Sequence, residues 1–181
     1  MRSWTTAASC DGDSVSYWKE AICEAIFELE FQATDNSLQA QLSQHDLGKL
    51  KLSDVSISAA HRVVRSRQAA AREQAPLFNL NFIRHGKWQV DHCGKSAVIG
   101  SGDLVLLDNR RPYSVVAEAG TTHLAVHLPY DWLRCWLPSP EEAVACPIGP
   151  TSPWYATLTA TLAEVLLLHP APLAKCRALE S

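Results

Sequence analysis

No block of like charges runs along this 181-residue sequence. Its formal net charge is −3, and its densest basic stretch, Arg62 to Arg72, holds four arginines interleaved with apolar residues. A domain that binds nucleic acid unaided draws much of its affinity from phosphate neutralisation and shows a basic excess. This chain is therefore not expected to bind DNA by itself. Runs of about eighteen apolar residues, the length that spans a bilayer, are also missing. The longest strongly apolar tract, Leu162 to Leu168, is interrupted by Glu164 and stops at His169-Pro170, so no membrane association is expected. Met1 to Asp13 lack the apolar core of a secretion signal. The six cysteines, at 10, 23, 93, 135, 146 and 176, form no Cys-x-x-Cys pair. Wide spacing in a chain that needs no staples reads as reduced thiols in a cytoplasm.

Motifs of catalysis are equally scarce. There is no Gly-x-Ser-x-Gly elbow, no phosphate loop and no dinucleotide fingerprint. Gly100-Ser101-Gly102 and Cys93-Gly94 sit at turns between strands, where a structural role outweighs a nucleophilic one. Asp103 and Asp108 bracket Leu104 to Leu107 and are read as turn residues whose carboxylates accept from backbone N–H groups. Seven histidines are present but no His-x-His pair. His123 and His127 lie four apart and share a strand face. No Glu follows where a metal site of this kind needs one, so they are expected to be surface histidines opposite Leu124, Val126 and Leu128. Neither a metal, nor another cofactor, nor a catalytic residue is assigned.

What the sequence does contain is an ordinary globular balance, with 47% hydrophobic and 19% charged residues. The length suits one domain with an appended helical piece. A helix is expected over Ser14 to Leu29, capped by Asp13 or Ser14, with Val15, Trp18, Ile22, Ile26 and Leu29 as its apolar stripe. Two strands follow, Leu38 to Ser43 and Leu50 to Ile57, turning at Asp46 to Gly48. Ala59 to Ala75 is either a helix or a long polar excursion. From Leu77 short strands alternate with Gly and Pro turns: Leu77 to Arg84, Lys87 to His92, Ser96 to Ile99, Leu104 to Leu107, Tyr113 to Ala117 and Thr122 to Leu128. Many short strands of this kind make a sandwich or small barrel. A helix over Tyr130 to Leu137, a proline-rich loop and a last helix from about Pro153 to Leu168 close the chain.

Within this order, Gly86-x-Trp88-x-Val90-x-His92-x-Gly94-Lys95 precedes Gly102-Asp103-Leu104-Val105-Leu106-Leu107-Asp108. Arg111-Pro112-Tyr113 and Leu124-x-Val126-x-Leu128-Pro129 come next, with Trp18 and Arg65-Ser66-Arg67 upstream. Their joint order and spacing resemble the N-terminal sensing domain of AraC/XylS-type transcription regulators over roughly Ser14 to Leu168. The family usually carries a glutamine-like residue in place of His92 and a proline in place of Ser101. The resemblance implies a mainly β, cupin-like barrel or jelly roll with an N-terminal helix and a C-terminal helical segment. Residues 14–128 are the expected helix plus barrel, 129–169 the packing or dimerising helices, and 170–181 a linker toward a helix-turn-helix half that this chain does not carry.

The same resemblance implies a small-molecule effector in the barrel and a homodimer, with DNA reached only through the missing half. Strand parity supplies the candidate lining: Phe78, Leu80 and Phe82 on one face, Trp88, Val90 and His92 on another. Asn81, His92 and Tyr113 are the polar candidates for orienting a ligand. Trp154, Leu158, Leu162 and Val165 form the apolar face of the last helix, expected either to pack on the barrel or to dimerise. Two other readings stand beside this one: a stand-alone metal-dependent cupin enzyme, and a dimerisation module whose barrel is filled.

Overall fold

The computed structural model describes residues 1–8, 13–72 and 76–168, with the side chains of the last three left aside. The expected linker at 170–181, together with Cys10 and Cys176, lies outside the described residues. Helix α1 (Ser14–Ala25) starts where expected, because the Asp13 carboxylate accepts from the Ser16 N–H at 2.9 Å. It ends earlier than its apolar stripe. Ile26 leaves helical geometry, and Phe27 and Leu29 are buried beyond the helix, ahead of β2.

Eleven strands form two antiparallel sheets among the described residues. In the first, β1 (Arg2–Thr5), β3 (Ala40–Leu47), β4 (Leu50–Ile57), β11 (Thr121–Pro129), β6 (Leu77–His85) and β9 (Leu104–Asp108) lie in that order. In the second the order is β2 (Glu30–Ala33), β5 (His61–Arg65), β10 (Tyr113–Ala117), β7 (Trp88–His92) and β8 (Lys95–Ile99). The central strands β4-β11-β6-β9 and β5-β10-β7-β8 face each other as a jelly roll, a double Greek key whose connections cross between sheets. The expected β-barrel is present, and the strands from Leu77 onward stand within one or two residues of their expected bounds.

Three strands escape the sequence reading. β1 and β2 are four-residue edge strands, too short for a periodic signal. β5 occupies the first half of the segment read as a helix or polar excursion, and its second half is the short helix α2 (Arg67–Arg72). The pattern His-Arg-Val-Val-Arg hides β5 because two of its inward residues, His61 and Arg65, are polar and buried. The β6–β7 turn depends on Gly86. Its φ is +91°, and a Cβ there would stand 2.6 Å from Thr121 Cγ2.

The chain after β11 covers the outside of the first sheet. α3 (Tyr130–Arg134), α4 (Pro140–Ala143) and α5 (Tyr155–Leu168) follow one another, and the intervening chain forms bridges from Val144 to Leu106 and from Ile148 to Leu104. These bridges extend the free edge of β9, and Leu104 to Leu107 are buried on both faces, as in a fully covered strand. Leu162 is buried, and Leu158 and Val165 pack partly against the same core. Trp154 is 71% exposed and Trp136 74% exposed. The last helix thus spends most of its apolar face on its own barrel, leaving Trp154 outside. No described helix is long and apolar enough to cross a membrane.

Candidate functional site

Registers decide which side chains enter the barrel. On β6, Asn79 pairs with Leu107 and His127, and Asn81 with Val105 and Ala125. On β7 and β10, Trp88 is opposite Ala117, Val90 opposite Val115, and His92 opposite Tyr113. Side chains of directly paired residues share a face. Between the sheets they enclose a cavity of about 80 Å³, bordered by Asn79, Asn81, Leu107, Ala125, Trp88, Tyr113, Val115, His61 and His123. Ile22 and Ile26 of α1, followed by Phe27 and Leu29, close it. The fully buried Arg65 holds this closure in place. Its Nη1 donates to the Glu28 carbonyl at 2.6 Å, its Nε donates to the Asn109 carbonyl at 3.1 Å, and its guanidinium lies 4.9 Å from the Phe27 ring centre.

Of the eight residues expected to line the site, Asn81, Trp88 and Tyr113 border the cavity. Phe78, Leu80 and Phe82 lie on the opposite face of β6, paired with Leu128, Val126 and Leu124 of β11 and covered by the C-terminal segment. Phe78 stacks on Tyr130 at 5.7 Å. Alternation of polar and apolar residues normally places the polar ones in water. Here α3 to α5 supply a second apolar layer, so the polar face turns inward. Val90 points inward but is packed in the core without bordering the cavity.

His92 is committed to the fold. Its Nε2 accepts from the Asp108 N–H at 3.1 Å, and its Nδ1 is 2.9 Å from the Pro112 carbonyl. A carbonyl only accepts, so Nδ1 carries the proton and the ring is neutral. Burial lowers its pKa, with the Pro112 carbonyl opposing that shift. The residue ties β7 to β9 across the two sheets. The turn aspartates behave as expected: Asp103 accepts from the Gly100 N–H and Asp108 from the Arg110 N–H.

The expectation that His123 and His127 are surface residues is corrected. Both are buried and face the interior with Asn79 and Asn81. Burial pushes His127 down to about 4, with Lys51 adding to the shift. Burial also pushes His123 down to about 3, helped by the Arg84 charge and by the neighbouring His61 and His127, which oppose a further proton. His127 belongs to a continuous relay. Gln44 Nε2 donates to the Ala25 carbonyl at the end of α1 (2.7 Å) and to Ser53 Oγ (3.3 Å). Ser53 Oγ lies 2.8 Å from His127 Nε2, and His127 Nδ1 lies 2.9 Å from Asn79 Oδ1. The cavity wall is thereby wired to α1. Both His127 nitrogens are occupied, which removes it as a metal ligand, and no group of three metal-binding side chains converges among the described residues.

Five buried side-chain polar atoms lack a partner among the described residues, and two of them belong to cavity residues: Trp88 Nε1 and His123 Nδ1. The two rings meet edge to face at 4.5 Å. His123 and His61 carried no ligand-binding signal in the sequence. The signal available was the period-two placement of Asn79, Asn81, His123 and His127 between apolar residues on two strands. A larger, open depression of about 830 Å³ lies outside the barrel beside Arg67, Lys95, Arg110 and Arg111. Its central cations are already engaged: Lys95 Nζ donates to the carbonyls of Glu142 and Val144, and Arg110 is bound to Asp108.

The AraC-binding-like domain family matches residues 18–179. The chain belongs to that family. It is 24% identical over 119 residues to an uncharacterized protein in the nit 5' region of Bacillus sp. (strain OxB-1), a match covering 65% of this chain and 46% of that protein. The chain thus spans about half the length of that curated relative. Among solved structures, the AraC-like transcriptional activator CuxR superposes with a TM-score of 0.78 at 15% identity, covering 94% of this chain and 62% of CuxR. At that identity the likeness concerns the fold. A cupin-like protein from Thermotoga maritima matches 56% of this chain and 74% of its own, with 12% identity and a TM-score of 0.41.

Proposed function

We propose that this AraC-binding-like domain is the effector-sensing part of a transcription regulator, taking a small molecule inside the barrel. The observation that carries this reading is a cavity between the two sheets, roofed by Ile22 and Ile26 of α1 and bordered by the polar side chains of Asn79, Asn81, His61 and Tyr113 among apolar neighbours. A largely apolar interior space with a few polar groups is what a small-molecule site requires. No catalytic role is assigned: His127 and His92 are bonded on both nitrogens, and His123 is kept neutral by burial.

Binding changes a regulator only if it favours one arrangement over another. The arrangement at hand is α1. Ile22 and Ile26 close the cavity, and the Asn79-His127-Ser53-Gln44 relay ends on the Ala25 carbonyl. A ligand that displaces either contact moves α1 relative to the barrel. Dimerisation is part of the same proposal. Because Leu158, Leu162 and Val165 serve the chain's own core, a dimer built at this end uses Trp154 and Trp136. DNA contact belongs to a helix-turn-helix partner half.

Thermal unfolding in the presence of a small-molecule library tests the reading. A ligand at a hundred times its Kd stabilises by about 2.7 kcal/mol, which raises Tm by roughly 5–10 °C in a domain of this size. The cavity-filling variant Ala125→Leu is expected to lose that response. A library without hits, or a hit that stabilises the filled variant equally, contradicts the proposal.

A further inference from the structure

The polar wall of the cavity has a fixed hydrogen-bonding sense, and backbone carbonyls fix it. A carbonyl only accepts. The Ala25 carbonyl therefore makes Gln44 Nε2 a donor at 2.7 Å, and the same nitrogen donates to Ser53 Oγ at 3.3 Å. Among the described residues, His127 Nε2 at 2.8 Å is the one bonded neighbour that can take the Ser53 proton. The His127 proton then sits on Nδ1 and is donated to Asn79 Oδ1 at 2.9 Å. What the Asn79 carboxamide has left is Nδ2, a donor.

The other polar side chains are set in the same way. Asn81 Nδ2 donates to the Asn79 carbonyl at 3.2 Å, which leaves Oδ1 as an acceptor. Across the sandwich, His61 Nδ1 lies 3.0 Å from the Ala59 carbonyl and carries that ring's proton, which leaves Nε2 as an acceptor. Burial holds this ring toward the neutral form. All three residues border the cavity and are no more than 5% exposed. The unpartnered polar atoms packed out of reach are Trp18 Nε1, Trp88 Nε1, Asn109 Nδ2, Thr121 Oγ1 and His123 Nδ1. Asn79 Nδ2, Asn81 Oδ1 and His61 Nε2 are not among them: they have no partner among the described residues and stay accessible from the cavity.

This pattern selects by polarity. A carboxylate only accepts, so it satisfies Asn79 and leaves Asn81 and His61 unmatched. An ammonium only donates, so it leaves Asn79 unmatched. Unmatched buried groups cost affinity, and no Asp, Glu, Lys or Arg borders the cavity to offset a charge. Asn79 and Asn81 stand roughly 7 Å apart on one face of β6, and the Asn81 carboxamide leans back along the strand toward Asn79. A group with an acceptor and a donor on neighbouring atoms fits between them.

We infer that the Asn79–Asn81 pair recognises the ligand, and that the ligand is uncharged and carries a carbonyl next to an N–H, as on the edge of a lactam or cyclic ureide. Asn79 donates to the carbonyl and Asn81 accepts from the N–H. This rests on the barrel-binding reading proposed above and adds the residues and the polarity that select the ligand. Asn79 is also the cavity end of the relay, so the ligand and the Ala25 carbonyl share one chain of hydrogen bonds.

Two measurements test it. Long-range ¹H–¹⁵N spectra of the labelled chain at pH 8 report histidine tautomers, with His61→Gln and His127→Gln assigning the signals. Both rings are expected as the Nδ1–H form. Then 2-pyrrolidinone, cyclopentanone and pyrrolidinium, which share a five-membered ring, are titrated in while the side-chain amide resonances of Asn79 and Asn81 are followed. The lactam is expected to shift both saturably with a millimolar Kd, the scale of so small a molecule. Cyclopentanone lacks the donor and pyrrolidinium the acceptor, and each is expected to bind at least about tenfold more weakly. Asn81→Leu is expected to weaken the lactam about tenfold and leave cyclopentanone unchanged. If His127 is the Nε2–H form, Asn79 presents its oxygen and the inference falls while barrel binding stands. If cyclopentanone or pyrrolidinium binds as tightly as the lactam, or if ligands bind without moving the two amide signals, the recognition pair is wrong and barrel binding again stands. If none binds, this inference falls, and the barrel reading is then decided by the thermal screen alone.

Discussion

Lowering the pH from 6.5 to 5 is expected to remove about 3 kcal/mol of stability from this domain, through histidines rather than carboxylates. Burial holds His123 near 3 and His127 near 4 in the folded chain, while both return to about 6.5 on unfolding. A folded-state pKa below the unfolded one means that the unfolded chain takes up protons first. Stability is therefore intact above about pH 6.5 and falls as pH drops toward the folded values. The slope is about 1.4 kcal/mol per pH unit for each histidine. Protonating His127 also removes the acceptor that Ser53 uses at 2.8 Å, which breaks the relay to α1. His61 and His92 shift the same way and add to the slope. Against a total of about 5–15 kcal/mol, this is a large fraction of the domain's stability. Urea melts at pH 8, 6.5, 6, 5.5 and 5 check this, with His127→Gln expected to flatten the profile. A urea midpoint that is constant over this range contradicts the burial of neutral histidines.

Removing the Arg110 side chain should cost about 3–5 kcal/mol, the penalty for stranding a buried charge. Asp108 is fully buried and receives three bonds from Arg110: from its N–H at 3.0 Å, its Nε at 2.8 Å and its Nη2 at 2.7 Å. The same Nη2 reaches Glu141 Oε1 at 3.0 Å, and the guanidinium lies 3.8 Å from the Tyr130 ring centre and 5.2 Å from that of Phe78. One side chain thus joins the end of β9 to α3 and α4, the elements that cover the first sheet. Its own pKa is raised, first by the Asp108 hydrogen bonds, so it stays charged under all ordinary conditions. Arg110→Ala should lower the denaturant midpoint strongly, and Asp108→Asn in the same chain should recover part of the loss. A loss below about 1 kcal/mol in Arg110→Ala would show that the pair is merely a surface bridge.

The barrel was legible because turns punctuate it. Gly86, Gly94, Gly102 and Gly120 adopt positive φ, each at a break between strands where glycine is favoured. The Asp13 cap was legible for the same reason: a short acceptor stands just ahead of an apolar helical stripe. The orientation of β6 and β11 was not legible from these strands alone. Phe78, Leu80 and Phe82 alternate with Asn79 and Asn81, and either face satisfies the period of two. What settles it is distant in sequence: Val144, Ile148 and Leu162 supply the apolar cover that frees the polar face to turn inward. His123 and His127 were misplaced by the same rule. β5 was hidden because Arg65 is buried against backbone carbonyls, an arrangement that its sequence neighbours do not announce.

The site therefore consists of one part that parity supplied and one part that packing supplied. Trp88 came from the first, while Asn81 and Tyr113 entered only as polar candidates. His123, His61 and the α1 closure came from the second. The link between them runs from Asn79 through His127 and Ser53 to Gln44 and the Ala25 carbonyl at the end of α1.

The central claim is that the effector sits inside the barrel beneath α1. The most direct measurement is a crystal structure of the chain with its strongest stabilising small molecule. The account predicts density in the cavity between the two sheets, against Asn81, Trp88 and Tyr113, with α1 displaced from or tightened onto the cavity. Density confined to the outer depression beside Arg67 and Lys95, with the barrel interior unchanged, would contradict it.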